Sequence, residues 1–195
     1  MRLHLLQLAL AAALAGPAFG QKTPIIIPIL NPGFEDDVLS CAAGFACDAS
    51  PLTGWLCGPD AGVFKPSTAQ FPGGVPGGTN VAYIGRGLNT VQAGSIFQSL
   101  GATVQANTNY TLTLSVGARA DIGFTGYSAA LLAGNTTLAC DNTLTPAPGT
   151  FLTDVIVYKS GAAPSQLGQR LQILVKSVGT GQVDIDSVSL TASPE

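Results

Sequence analysis

"YTLTLSV", Tyr110 to Val116, decides the fold. Tyr110, Leu112, Leu114 and Val116 fall on one face, and Thr111, Thr113 and Ser115 on the other. Strict alternation of this kind is the period of a β-strand with one buried face. "RLQILVKSV", from Arg170, does the same with Leu171, Ile173 and Val175. "YSAALLAG", "TFLTDVIVYKS", "SIFQSL" and the short "NVAYIG" are further strand candidates. Glycine, proline and asparagine clusters such as "FPGGVPGGTN", "GARADIGFTG" and "NTLTPAPG" separate them. Past the first twenty residues no segment has a helical period. About ten short strands with regular turn signals predict an all-β sandwich of two antiparallel sheets.

The chain opens "MRLHLLQLALAAALAGPAFG", with Arg2 and His4 ahead of an apolar run and small residues Ala18 and Gly20 at its end. That is the layout of a signal peptide at 1–20, which makes 21–195 a single secreted domain; an uncleaved anchor is the alternative. No later stretch is apolar enough for a membrane span. Without its leader the chain loses one of eight bases and keeps all eleven acids, for a net charge of −4. Weak acidity argues against nucleic acid and anionic membrane as partners.

Cys41, Cys47, Cys57 and Cys140 are an even set in an exported chain, which reads as disulfides. Three pairings are possible. Cys41–Cys47 within one Gly/Ala-rich loop is favoured, leaving Cys57–Cys140 to tie distant segments. The only His lies in the leader and no CxxC occurs, so zinc is not expected.

Two acids stand where strand geometry breaks. In "GQVDIDSVSL" the apolar positions are odd at Val183 and Ile185, then even at Val188 and Leu190. Such a phase change marks a β-bulge, here beside Asp186. At the other end, "PIIIPIL" (Pro24 to Leu30) runs into "NPGFE", where Phe34 is expected in the core and Glu35 on the opposite side. Gly33 is expected to take the unusual backbone angle of that turn. First and last strands lying together would let Glu35 and Asp186 share a cation. Ca²⁺ is the natural candidate, since it mixes carboxylates with backbone carbonyls.

The ordered set "ILNPGFE", "GW" (Gly54-Trp55), "GGTNVAYIG", "GSIFQSL", "NTNYTLTLSVGAR" and "VDIDSVSLT" resembles the galactose-binding-domain-like β-sandwich of carbohydrate-binding modules, the group with an N-G-x-F-E start and an F-D-N-V end. It also resembles secreted bacterial proteins of unknown role built on that module. The resemblance spans nearly all of the mature chain. It implies a jelly-roll sandwich with a structural calcium held by Glu35 and Asp186. Pro32, Ile185 and Ser187 depart from the motifs without removing a carboxylate.

The function expected on this basis is non-catalytic binding of a glycan or cell-surface polysaccharide. Trp55 reads first as a packing residue and second as a sugar platform. Tyr83, Arg86, Arg119 and Tyr127 lie in or beside loops and are the other ligand-binding candidates. Without His the mature chain forms no Ser-His-Asp or Cys-His arrangement, and among Asp121, Asp141, Asp154 and Asp184 no pair is singled out, so no enzyme is expected. The alternative is an extracellular matrix or filament subunit that self-associates through "PIIIPIL".

Overall fold

The computed structural model describes residues 23–40, 42, 46–47, 52–85 and 94–195. Every regular element among them is a strand. In chain order these are β1 (Ile25–Ile26), β2 (Ala46–Cys47), β3 (Leu56–Cys57), β4 (Ala61–Phe64), β5 (Val81–Ile84), β6 (Ser95–Thr103), β7 (Thr108–Ala118), β8 (Tyr127–Ala133), β9 (Thr136–Asp141), β10 (Thr150–Lys159), β11 (Arg170–Ser177) and β12 (Val183–Pro194). No helix among the described residues is long and apolar enough to cross a membrane.

The strands form two antiparallel sheets of a jelly-roll sandwich. A seven-stranded sheet runs β10-β7-β12-β5-β4-β2, with β1 paired to β12 beside that path. A five-stranded sheet runs β3-β6-β11-β8-β9. The alternation of β7 works as read: Tyr110, Leu112, Leu114 and Val116 are buried against Leu171, Ile173 and Val175 of β11 in one core. Burial of such side chains contributes roughly 1.5–3 kcal/mol each, which holds the sheets face to face.

β12 is the organising strand, since it pairs with β7, β5 and β1. Its register shifts between Asp186 and Ser189, the bulge that the phase change predicts, and Ser187 takes a φ of 52°. The shift keeps Val183, Ile185, Val188 and Leu190 in the core. Asp184 and Asp186 both fall on the other, outer face of the seven-stranded sheet.

"PIIIPIL" belongs to this chain's own sheet: Ile25 pairs with Ala192, Ile26 with Thr191, and the Ile27 N–H donates to the Leu190 carbonyl at 2.9 Å. That pairing uses up the strand edge the filament alternative needed. In "NPGFE", Phe34 is fully buried, as expected, but the unusual angles sit at Asn31 (φ 46°) and Phe34 (φ 61°), not at Gly33. Asn31 tolerates it because its side chain accepts from the Asp36 N–H at 3.1 Å and donates to Asp37 and to the Thr53 carbonyl.

The Cys57–Cys140 pairing fails on topology. Cys57 lies on β3 and Cys140 on β9, the two edges of the five-stranded sheet, and both are free thiols. Four strand spacings separate them, roughly 19 Å, against a Cα limit of about 7 Å for a disulfide. The Cys41–Cys47 pairing lies outside the described residues, as does Arg86.

Candidate active site

Residues directly opposite on neighbouring strands share a face. One such row crosses the outer face of the seven-stranded sheet. Phe151 of β10 is opposite Gly117 of β7, Gly117 is opposite Asp184 of β12, Asp184 is opposite Tyr83 of β5, and Tyr83 is opposite Gly62 of β4. An acid thus stands mid-sheet between two aromatic side chains, with a glycine inside one and outside the other. The rings lie over those glycines. A Cβ on Gly117 would come within 2.3 Å of Phe151 Cε1, and one on Gly62 within 2.9 Å of the Tyr83 hydroxyl.

The segment 65–80 supplies the rest of the cover. Phe71 stacks on Phe151 with centroids 4.4 Å apart, and Phe64 meets Tyr83 edge-on at 6.0 Å. Phe64, Phe71, Val81 and Tyr83 form a second apolar cluster, separate from the inter-sheet core. A groove lined by Pro72, Val75, Pro148 and Phe151 opens beside it.

Asp184 is fully buried in this setting. Gln182 Nε2 donates to its Oδ1 at 2.7 Å, and its Oδ2 has no hydrogen-bond partner. Burial pushes the carboxyl up to about 7, against the Gln182 bond and the charge of Arg119, with Asp121 adding to the rise. Arg119 is largely answered elsewhere. Its Nε and Nη2 donate to Asp121 at 2.9 and 2.7 Å, which holds Asp121 below the usual carboxylate range. The guanidinium also stands 5.1 Å over the Phe64 ring. A near-neutral acid with one empty oxygen, walled by aromatic faces, is equipped to donate a proton and to stabilise the cation that results.

Two residues along, Asp186 is built differently. Its Oδ2 accepts from the Gly77 N–H at 2.8 Å and its Oδ1 from the Ser187 N–H at 2.5 Å. Glu35 Oε1 accepts from the Thr79 and Asn80 N–H groups at 2.8 and 2.6 Å. One short turn, 77–80, therefore joins both acids, as the sequence predicts for a first and last strand lying together. Gly78 (φ 60°) is required there, because a Cβ would fall 2.4 Å from the Glu35 carboxyl. Burial pushes Asp186 up to about 6, and the charge of Glu35 adds to the rise. Among the described residues no Lys or Arg is bonded to either acid, and no group of three or more His, Cys, Asp or Glu is placed to cage a metal.

Of the ligand-binding candidates, Tyr83 stands in the row, Arg119 lies beside it against Gln182 and Phe64, and two others are elsewhere. Trp55 is not a platform: it is buried against Phe34 at 5.6 Å, and its Nε1 donates to the Asn31 carbonyl at 3.2 Å. Tyr127 is buried between the sheets, its hydroxyl 2.8 Å from Asp154 Oδ2 and 3.0 Å from Asp141 Oδ2. Sequence reasoning counted Asp184 among four acids without singling it out, and did not name Gln182, Phe71 or Phe151 as site residues. For Asp184 a signal was present: an acid flanked by core residues Val183 and Ile185 in a strand long enough to be central.

A sequence model of the family described as HpiC1-like, HpiC1 cyclase, matches residues 25–191. The chain belongs to the HpiC1-like cyclase family. Solved relatives agree. The Stig cyclase Fisc from Fischerella sp. TAU, in complex with (3Z)-3-(1-methyl-2-pyrrolidinylidene)-3H-indole, is 30% identical over 88% of this chain and 99% of its own, with a TM-score of 0.78. A cyclase from Fischerella sp. TAU in complex with 4-(1H-indol-3-yl)butan-2-one is also 30% identical, over 87% and 98%, with a TM-score of 0.76. An apo cyclase from Fischerella sp. is 29% identical over 88% and 97%, with a TM-score of 0.77. No curated protein sequence matches.

Membership in the HpiC1-like family corrects three expectations. The chain is an enzyme of a cyclase family, where a non-catalytic module was expected. The bound molecules of its relatives are small indoles, where a glycan or polysaccharide was expected. A matrix or filament subunit has no support from any relative in this group. The sandwich fold itself was read rightly, but a sandwich carries many functions and only the site distinguishes them.

Proposed function

We propose that this protein is a cyclase acting on an indole-bearing small molecule, with Asp184 as its proton donor. The observation that carries this reading is the buried Asp184, with one free oxygen, standing in a row between Tyr83 and Phe151. The family and the indoles bound by its relatives support it. A flat indole suits a pocket walled by stacked rings.

The chemistry balances without a co-reactant. Asp184 transfers the proton on Oδ2 to the substrate and leaves a carboxylate. The substrate becomes a cation, which the ring faces stabilise. A π-electron pair of the substrate closes the new carbon–carbon bond on the cationic centre. Loss of a proton from the closed ring to the Asp184 carboxylate restores the acid, and the product is an isomer of the substrate. Desolvation raises the Asp184 carboxyl toward the neutral range, the direction this task needs. The groove lined by Phe151 lies beside the row, and the Phe151 ring covers Gly117, the residue opposite Asp184.

The cation site fits calcium. Glu35 and Asp186 are two hard oxygen donors with no cationic side chain bonded to them, set against a turn whose backbone is bound to both. Calcium accepts such mixed carboxylate, carbonyl and water sets. Held by Glu35 and Asp186, such an ion would be structural: it would neutralise the two carboxylates and tie the 77–80 turn to β12. The leader reading of 1–20 makes this an exported enzyme.

The test is direct. Purified protein is titrated with 4-(1H-indol-3-yl)butan-2-one and incubated with linear indole alkaloid precursors, with products followed by mass and NMR. The expected result is saturable binding and a cyclised product of unchanged mass. Absence of binding by any indole would overturn the reading.

A further inference from the structure

We infer, on the reading of this protein as a cyclase of indoles, that Asp121 is a specificity-determining residue: its carboxylate accepts the N–H of an indole ring seated in a second cavity beside the row.

The cavity opens where the chain leaves β7. It measures about 390 Å³, and Ala118, Arg119, Asp121, Phe124, Pro146 and Pro148 are among its lining residues. That volume falls in the range of small-molecule sites. It adjoins the row at two places. Ala118 follows Gly117 on β7, and Pro148 lines both this cavity and the groove at Phe151. Phe124 and the two prolines offer apolar ring surfaces to a flat ligand. Phe124 is itself held from behind, packed on the core with its ring 6.5 Å from that of Tyr127.

The charged group that the cavity presents is an acceptor. The two-point contact from Arg119 holds Asp121 below the usual carboxylate range, so it stays an anion. Each carboxylate oxygen can accept two hydrogens. Among the described residues, Oδ1 receives one side-chain hydrogen, from Arg119 Nε, and the Asp121 side chain is 48% exposed. Arg119 is only 11% exposed, and it is committed to Asp121, to the Phe64 ring and to Gln182 Oε1. The ligand group that fits is therefore a donor, and an indole carries one, its N–H. A charged acceptor makes that bond stronger than a neutral one.

Asp121 is also held in place before any ligand arrives. On one side of it the Ala120 N–H donates to the Gln70 carbonyl at 3.1 Å, and on the other the Gly123 carbonyl accepts from the Gln182 N–H at 3.0 Å. An acceptor fixed in this way reads the orientation of a ring as well as its presence.

Two ligands of one shape test this: 4-(1H-indol-3-yl)butan-2-one and 4-(1-benzofuran-3-yl)butan-2-one, in which a ring oxygen replaces the N–H. Calorimetric titration of the wild type is expected to show the indole bound at least about tenfold more tightly, the effect of one hydrogen bond to a charged group. In Asp121→Asn the size is kept, the charge is lost and the amide oxygen is claimed by Arg119. The two affinities then come within about twofold of each other. Should that variant not fold, Asp121→Ser, which withdraws the acceptor from the cavity, reads the same loss. A purely structural role for Asp121 would weaken both ligands alike and keep the wild-type ratio, a result that overturns the inference. A wild type that binds both ligands equally overturns it too and leaves the cyclase reading standing. Binding of neither overturns both.

Discussion

Asp184 and Asp186 sit two residues apart on one strand and face, both fully buried, yet their surroundings prepare them for different work. Asp186 has an oxygen bonded to the N–H of Gly77 and the other to its neighbour Ser187, and a second carboxylate, Glu35, beside it. The backbone donors there favour a charged group, while burial and the charge of Glu35 oppose it, so a carboxylate at that place calls for a cation to answer it. Asp184 has one side-chain donor, one empty oxygen and aromatic neighbours in its row. Burial there outweighs the Gln182 bond and the charge of Arg119 and shifts the balance toward a neutral acid. The lesson is that burial alone does not assign a role. The partners of the second oxygen do.

The largest effect expected from breaking this contrast is on the cation side. Chelator lowers the melting temperature of the wild type by the equivalent of about 3 kcal/mol at calcium near a hundredfold above Kd, because the ion binds only the native state. Glu35→Ala melts lower and does not respond to chelator. An identical wild-type melting curve with and without chelator would remove calcium from the account.

On the acid side, Gly117→Ala places a Cβ 2.3 Å from Phe151 Cε1 and drives that ring off its seat. The cost is about 1–3 kcal/mol of stability from overpacking. Indole affinity should fall with it, while the chelator response stays intact. Calorimetric unfolding and ligand titration measure the two separately.

A smaller effect tests whether a third buried aspartate behaves like either of these. Tyr127 has one phenolic hydrogen for Asp141 and Asp154 together, so one acid must itself be protonated and donate. Burial pushes Asp154 up, with the Asp141 charge adding and the Tyr127 bond opposing. A folded pKa above the unfolded value means stability that is complete below the unfolded pKa and is lost as pH rises through the folded one. Stability therefore declines as pH climbs above the ordinary aspartate value of about 4. Asp154→Asn flattens that decline by roughly 1 kcal/mol, read from urea midpoints across pH. A slope equal to wild type would place the shared proton elsewhere.

Much of the sandwich was legible because β7, β11 and β12 alternate cleanly, and the bulge announced itself as a change of phase. β4 was missed because all four of its residues are buried, which erases alternation. β9 was missed because its "TTLACD" is a largely polar edge strand. The pairing of Glu35 with Asp186 was legible from the broken geometry at each end of the chain. The row was not, because Gly62, Tyr83, Gly117, Phe151 and Asp184 come from five strands and meet only through register. Trp55 was legible in its first reading, as a packing residue: its ring and N–H are both spent on the "NPGFE" turn.

The separation of the two aspartates is tested most directly by turnover of Asp184→Asn, assayed on an indole precursor with calcium present and with the melting curve recorded on the same sample. The account predicts a loss of at least about a hundredfold, the scale of a general acid, with wild-type melting and an undiminished response to chelator. Turnover near wild type, or a variant that has lost its chelator response along with its activity, would contradict it.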